Sequence, residues 1–217
     1  MTISRHPDTA WLFDYANGNL SPGFDLLLSA HLAACSTCTQ ELQLAEQMGA
    51  ELMFESATRA VRLQPEAIMD GECVDSSWMK PRARLPLTGE GADLQSLVSN
   101  YLDCGLAALP WRSAGRGLKI AKLRADRDER VLLIRAAPDT VLPRHSHEGS
   151  ELTLVLKGAY FAGTTIYAAG DVEDADESVD HQPVVTREGE CLCLAVTDAP
   201  LRFRSLLPRL AQGFLGI

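Results

Sequence analysis

HSHEGSELTLVLKG, residues 145–158, is the stretch on which the reading of this chain turns. His145 and His147 are two residues apart, so on extended backbone both imidazoles point to the same face. Glu151 follows, then the apolar run Leu152 to Leu156, closed by Lys157-Gly158, which reads as a buried strand. Downstream, Gly170 precedes His181 with ten residues between them. Two imidazoles from one strand, a carboxylate and a fourth residue from a neighbouring strand would make a compact site for Zn, Fe, Mn or Ni. Imidazole and carboxylate suit several of these, so ligand softness does not choose among them. The competing explanation is three histidines that happen to fall at this spacing in an unrelated sheet.

The surroundings of this stretch are β in character. From Trp111 onward, Leu118 and Ile120 alternate with polar neighbours, and Val131 to Ile134 follows the charged turn Asp126 to Glu129. Thr164 to Tyr167 and Cys191 to Val196 are further short runs. Many short strands separated by turns predict a barrel or sandwich. Upstream the pattern changes. Pro65, Pro81, Pro86, Gly71, Gly89 and Gly91 punctuate residues 60–95 like a linker, with Glu66 to Asp70 a weak helix candidate and Asp93 to Leu106 a second one. The first 60 residues read as helical. Pro7-Asp8 opens one helix, which Asn17-Gly18 ends; Ser21-Pro22 opens another with Phe24, Leu27, Leu28 and Leu32 on its apolar face. A third is expected from about Thr39, with Leu42, Ala45, Met48 and Leu52 as its stripe. Helices first and strands after predict separate domains: 1–85 helical, 86–104 linker, 105–217 β.

Within the helical part stands His31-x3-Cys35-x2-Cys38. On one continuous helix the cysteines would lie about 40° and −20° from His31, on a single stripe. A break at Ser36-Thr37 would instead place the cysteines at a helix start, where the dipole favours thiolate. Either way two sulfurs and one imidazole can reach one ion, and zinc asks for a fourth ligand. His6 is the remaining histidine before His145, hence the candidate. A redox pair and inert packing are the alternatives, although redox CxxC pairs usually accompany a βαβ pattern, which is missing here.

Charge narrows the partners. The chain of 217 residues has a formal net charge of −9, and residues 1–60 hold seven acids against two bases. That argues against direct nucleic-acid or anionic-membrane binding and suits a basic protein partner. No apolar run approaches the roughly 20 residues a membrane helix needs, and MTISRHPDTAW has no signal-peptide core, so a cytoplasmic location is expected. Six cysteines there are metal ligands, redox groups or packing residues rather than a disulfide framework. Cys191 and Cys193 lie two apart on a strand, facing one way; they are either small core residues or an oxidation-sensitive pair. Cys73 and Cys104 are isolated and read as packing.

Two resemblances follow from these residues. His145, His147, Glu151 and Gly158 match the first cupin motif, H-x-H-x3-E-x6-G, and Gly170 with His181 keeps the spacing of the second. The usual first glycine is Asp139, and the usual Pro and Gly of motif two are Asp176 and Ser178. His6, His31, Cys35 and Cys38 on short acidic helices resemble the zinc-containing anti-sigma domain, which packs against an extracytoplasmic-function sigma factor and hides its polymerase-binding surfaces. The combination is similar to the ChrR-like anti-sigma factors. That resemblance implies a zinc helical domain that binds the sigma factor and a cupin, with zinc or another divalent metal, needed for release by oxidative signals such as singlet oxygen or organic hydroperoxides. The rival expectation is a cupin metalloenzyme, dioxygenase-like, with a helical extension.

Overall fold

A computed structural model describes residues 2–56, 93–102, 105–125 and 129–203. The first helix, α1 (Thr9–Asn17), is capped by Asp8, whose side chain accepts from the Ala10 amide at 2.8 Å, and stopped by Gly18 at φ 73°. The second, α2 (Pro22–Ala34), carries Pro22 in its first turn, but its Ser21 cap makes no side-chain capping bond. The buried carboxylate of Glu129 does that work from the β part, accepting from the Gly23 amide at 2.8 Å and from the Ser21 hydroxyl. The third, α3 (Ser36–Ser56), begins three residues before the expected Thr39. Thr39 does not open the helix; its hydroxyl donates to the Leu32 and Cys35 carbonyls at 2.9 and 2.8 Å, satisfying the open end of α2.

The stripe expected on α3 holds only at its start. Leu42 is buried and Ala45 half-buried, while Met48 is 52% exposed and its neighbour Leu44 59%. The side chain of Leu52 lies outside the described residues, as do Cys73, Cys104 and the segment Glu66 to Asp70. A fourth helix, α4 (Leu94–Tyr101), is capped by Asp93 and ends short of Leu106; a 3-10 turn, Leu106–Ala108, follows. It falls inside the 86–104 segment read as linker and packs on α2.

Among the described residues twelve strands follow: β1 (Arg112–Gly115), β2 (Leu118–Ala125), β3 (Arg130–Ala136), β4 (His145–Ser146), β5 (Glu151–Lys157), β6 (Ala159–Ala162), β7 (Thr165–Ala168), β8 (Val172–Ala175), β9 (Asp180–His181), β10 (Val184–Val185), β11 (Cys191–Thr197) and β12 (Arg202–Phe203). They pair antiparallel in sheets of order β1-β2-β3-β11-β5-β8, β10-β6-β7 and β12-β4-β9. The three unusual motif positions keep their turns by other chemistry. Asp139 takes the left-handed conformation, φ 57°, that a glycine would adopt, and among non-glycine residues described it alone does so. Asp176 accepts from both the amide and hydroxyl of Ser178, at 2.8 and 2.6 Å, forming the turn that Pro and Gly would otherwise shape.

The helical and β parts share a core. α2 buries almost its whole circumference, Leu26, Ala30, Ala33 and Ala34 as well as Phe24, Leu27, Leu28 and Leu32, because it lies between α3 and α4 and strands β5 and β11. One cluster of buried apolar side chains therefore runs from Leu12 through Leu27 and Val98 to Leu154 and Leu194.

The N-terminal residues fasten along β8, the edge strand of the large sheet. The Val172 amide donates to the Arg5 carbonyl at 3.1 Å. Asp171 accepts from the Ser4 and Arg5 amides at 2.7 and 3.0 Å; Asp174 accepts from the Asp8 amide and the Trp11 indole, both at 3.0 Å. The strap satisfies backbone groups that an edge would leave open.

Two candidate metal centres

The first cluster forms where α2 ends and α3 begins. Cys35 leaves the helical conformation (φ −105°, ψ 104°), so the break comes one residue earlier than Ser36-Thr37, and Cys38 lies in the first turn of α3. His31 is in the last turn of α2, and the strap delivers His6. His6 Nδ1 lies 3.4 Å from Cys35 Sγ and 3.3 Å from Cys38 Sγ; His31 Nε2 lies 3.3 Å from Cys38 Sγ. Bonds of about 2.0–2.3 Å in a tetrahedron give edges of about 3.3–3.8 Å, so these spacings fit one ion. His31, Cys35 and Cys38 are buried and His6 exposed. The two sulfurs share their protons unequally: hydrogen bonding with Cys38 draws Cys35 down to about 3 against the burial that opposes it, and the same contact pushes Cys38 up. A low-lying thiolate in a pair is what a cation needs. His31 donates its Nδ1–H to the Gly170 carbonyl at 2.9 Å, which turns Nε2 toward the sulfurs.

The second cluster gathers His145, His147, Glu151 and His181 inside the barrel, all buried, with one ligand atom from each within 4.8 Å of the others. β4 holds His145 directly against His181 of β9, and their Nε2 atoms approach to 2.9 Å. Each has its other nitrogen committed: His145 Nδ1–H donates to the Pro143 carbonyl and His181 Nδ1–H to Glu173, both at 2.9 Å. Both ring nitrogens of His147 are buried without a hydrogen-bond partner, the condition a metal would relieve. Burial first, and neighbouring histidines second, pull His145 and His147 down to about 4; burial pushes Glu151 up to about 7. For His181, burial pulls down but the Glu173 carboxylate outweighs it, and the net shift is upward. The donor set of three imidazoles and a carboxylate, uncharged imidazoles included, is compatible with metal binding.

The motif spacings do not single out Glu173; the acids nearest the motif histidines in sequence are Glu148 and Asp180. Those two pair with Arg202 and Arg144 on the surface. Glu173 is buried and also accepts from the Tyr160 hydroxyl at 2.5 Å. Its position within the acidic run Val172-Glu-Asp-Ala175 hides it, since Asp174 beside it points outward to the strap. The signal available was period-two alternation: residue 173 shares a face with Ala175 rather than with Asp174. Cys191 and Cys193 are free, buried thiols 3.6 Å apart, sulfur to sulfur. The β5–β11 pairing shifts register between Leu192 and Cys193.

A helical module with a His2Cys2 cluster, fused to a cupin barrel with a His3Glu cluster, defines a class of two-part regulators. Comparison with known proteins places the chain within it: it belongs to the ChrR family of anti-sigma factors. The ChrR cupin-like domain family matches residues 102–200. The anti-sigma-E factor ChrR of Cereibacter sphaeroides is 36% identical over 220 residues, spanning 100% of both chains. The crystal structure of Rhodobacter sphaeroides SigE in complex with the anti-sigma ChrR is similar at 33% identity and a TM-score of 0.69, covering 91% of this chain and 100% of that one. An RmlC-like cupin from Ralstonia eutropha JMP134 is similar over 47% of this chain, at 18% identity and a TM-score of 0.43. No described helix is long and apolar enough to cross a membrane.

Proposed function

We propose that this chain is a cytoplasmic anti-sigma factor that binds and inhibits an extracytoplasmic-function sigma factor and releases it when an oxidative signal reaches the cupin. The single observation that carries this is likeness over the full length to a ChrR protein, together with the structure of such a protein in complex with a sigma factor. The partner would dock on the helical part, proposed as residues 1–85, where Leu44 and Met48 present apolar surface one helical turn apart among the acids Glu41 and Glu46. Residues 105–217 form the proposed sensor and 86–104 the joint between them.

In this reading His6, His31, Cys35 and Cys38 hold zinc, and His145, His147, Glu151 and His181 hold zinc or another divalent metal. The first ion supplies folding energy that fixes the docking surface. Glu173 and Asp174 join the two centres: one carboxylate positions His181, and the next holds the strap that carries His6. Disturbing the barrel centre would thus move β8 and loosen the strap. Cys191 and Cys193 offer a second sensing route. An organic hydroperoxide would join their sulfurs, taking two thiol protons and leaving as alcohol and water.

Co-purification tests the central claim. The full chain should retain a sigma factor of its host on an affinity column, and Cys35→Ser with Cys38→Ser should lose it. Failure of the metal-loaded wild type to bind any sigma factor of that host would overturn the proposal.

A further inference from the structure

The barrel encloses a cavity of about 350 Å³ that ends on the second cluster. This is at the small end of the range for small-molecule sites. Its walls are aliphatic and aromatic: Leu118, Ile120, Leu132, Ile134, Val185 and Phe203. Leu142, Pro143, Leu201 and Phe203, also lining it, are partly exposed, which puts its opening on the side where β12 pairs with β4.

The polar groups that line the cavity are committed to one another. The Tyr160 hydroxyl and His181 Nδ1–H are held by Glu173, Thr153 donates to Glu151, and the Thr197 hydroxyl donates to the Ala199 carbonyl. A polyhydroxylated ligand such as a sugar would find few partners and would leave its hydroxyls unsatisfied, at roughly 1–3 kcal/mol each. Among the described residues no Lys or Arg lines the space. Glu151 and Glu173 would repel an anion unless a divalent ion inverted the local charge. An elongated apolar tail with an oxygen head that reaches the ion satisfies all of these conditions. At about 30 Å³ per heavy atom, the space takes roughly a dozen such atoms.

We propose that this cavity is a binding site for a medium-chain aliphatic carboxylate or a similar oxygen-headed acyl compound, its head on the His145–His147–Glu151–His181 ion and its tail among Leu118, Ile120, Leu132 and Ile134. The proposal rests on the reading of those four residues as a metal centre. The thiols of Cys191 and Cys193 line the same space, so a bound tail would lie beside them.

Calorimetry on the full-length protein, with zinc content measured first, tests this. Decanoate is the probe and gluconate the polar control. Zinc-loaded protein should bind one decanoate per chain and should ignore gluconate. Stripping the metal should weaken decanoate binding at least tenfold. Ala195→Phe, which fills the interior, should abolish it. Ala114→Trp, on the partly exposed strand β1, should weaken it and serves if the first variant does not fold. Silence toward decanoate and octanoate in protein whose barrel centre holds its ion would overturn the proposal and leave the anti-sigma reading standing. So would equal binding with and without metal, or binding untouched by a folded cavity-filling variant. An absent barrel ion would overturn the metal reading and the ligand with it, whereas loss of sigma-factor binding alone would touch only the function proposed above.

Discussion

His31 donates a hydrogen bond to the carbonyl of Gly170, so a ligand candidate of the helical centre is oriented by the residue that opens the second cupin motif. Gly170 sits at φ 93°, and a Cβ there would meet Ile3 Cγ1 at 2.6 Å. Gly170→Ala therefore imposes backbone strain of about 1–3 kcal/mol and presses on the strap. The expected outcome is faster zinc loss from the helical centre to a chelator, with the β part still folded by circular dichroism. Retention equal to wild type would show that the bond does not position His31.

Glu173→Gln should act on the other centre. A carboxylate that fixes a ligand histidine typically contributes 10–100-fold to metal affinity. Titration with a divalent ion should show the barrel site weakened by about that factor and the helical site, reached only through the strap, weakened far less. Equal weakening at both sites would mean that the substitution had disturbed the fold instead.

Asp171→Ala removes acceptors for the Ser4, Arg5 and Ala168 amides at once. With charged acceptors worth roughly 1.5–3 kcal/mol each when paired, the variant should lose at least about 2 kcal/mol of stability. Amide exchange should quicken at Ser4 and Arg5 before it does in β11. Unchanged exchange at the N-terminus would refute the strap's role.

The pH dependence of stability should report metal occupancy. Take the window between pH 4.5 and 6.5 in metal-stripped protein. Unfolded His145 and His147 bind protons from 6.5 downward, whereas the folded pair stays neutral to about 4. Folded Glu151 holds a proton below about 7 that the unfolded carboxyl binds only near 4.5. Unfolding thus takes up about one net proton, and stability falls as pH falls, by about 1.4 kcal/mol per pH unit from this centre. With metal bound, His181 joins the unprotonated folded set and Glu151 stays ionised, so uptake rises to about three protons and the slope roughly triples. Equal slopes in denaturant titrations of stripped and loaded protein would contradict a metal on these four residues.

The ligand candidates were readable because their geometry is local. His145, His147 and Glu151 belong to one short stretch, and His181 keeps a fixed spacing from Gly170. Cys35 and Cys38 are read the same way; His6 came only by elimination, and what brings it to the sulfurs is Asp171, far along the chain. Contacts of that kind leave no spacing to read. The expected start of α3 falls three residues late because the apolar stripe begins only at Leu42, and the polar turn before it carries no period to read. Met48 misled because periodicity marks an apolar face without saying what covers it, and here no described residue buries it. Asp139 shows the converse: a backbone conformation survives when the residue that usually marks it has gone.

The strap has a consequence for how the chain is made. His6 leaves the ribosome well before Asp171 and Asp174, which hold its segment and are synthesised some 166 residues later. At about 5–20 residues per second, that interval is on the order of ten to thirty seconds. During it the chain has no edge strand on which to fasten His6, and β11, which helps to cover α2, is still to come. The nascent chain therefore passes through a stage in which His6 is unfastened, and the two halves become mechanically one only when β11 as well as β8 has been made.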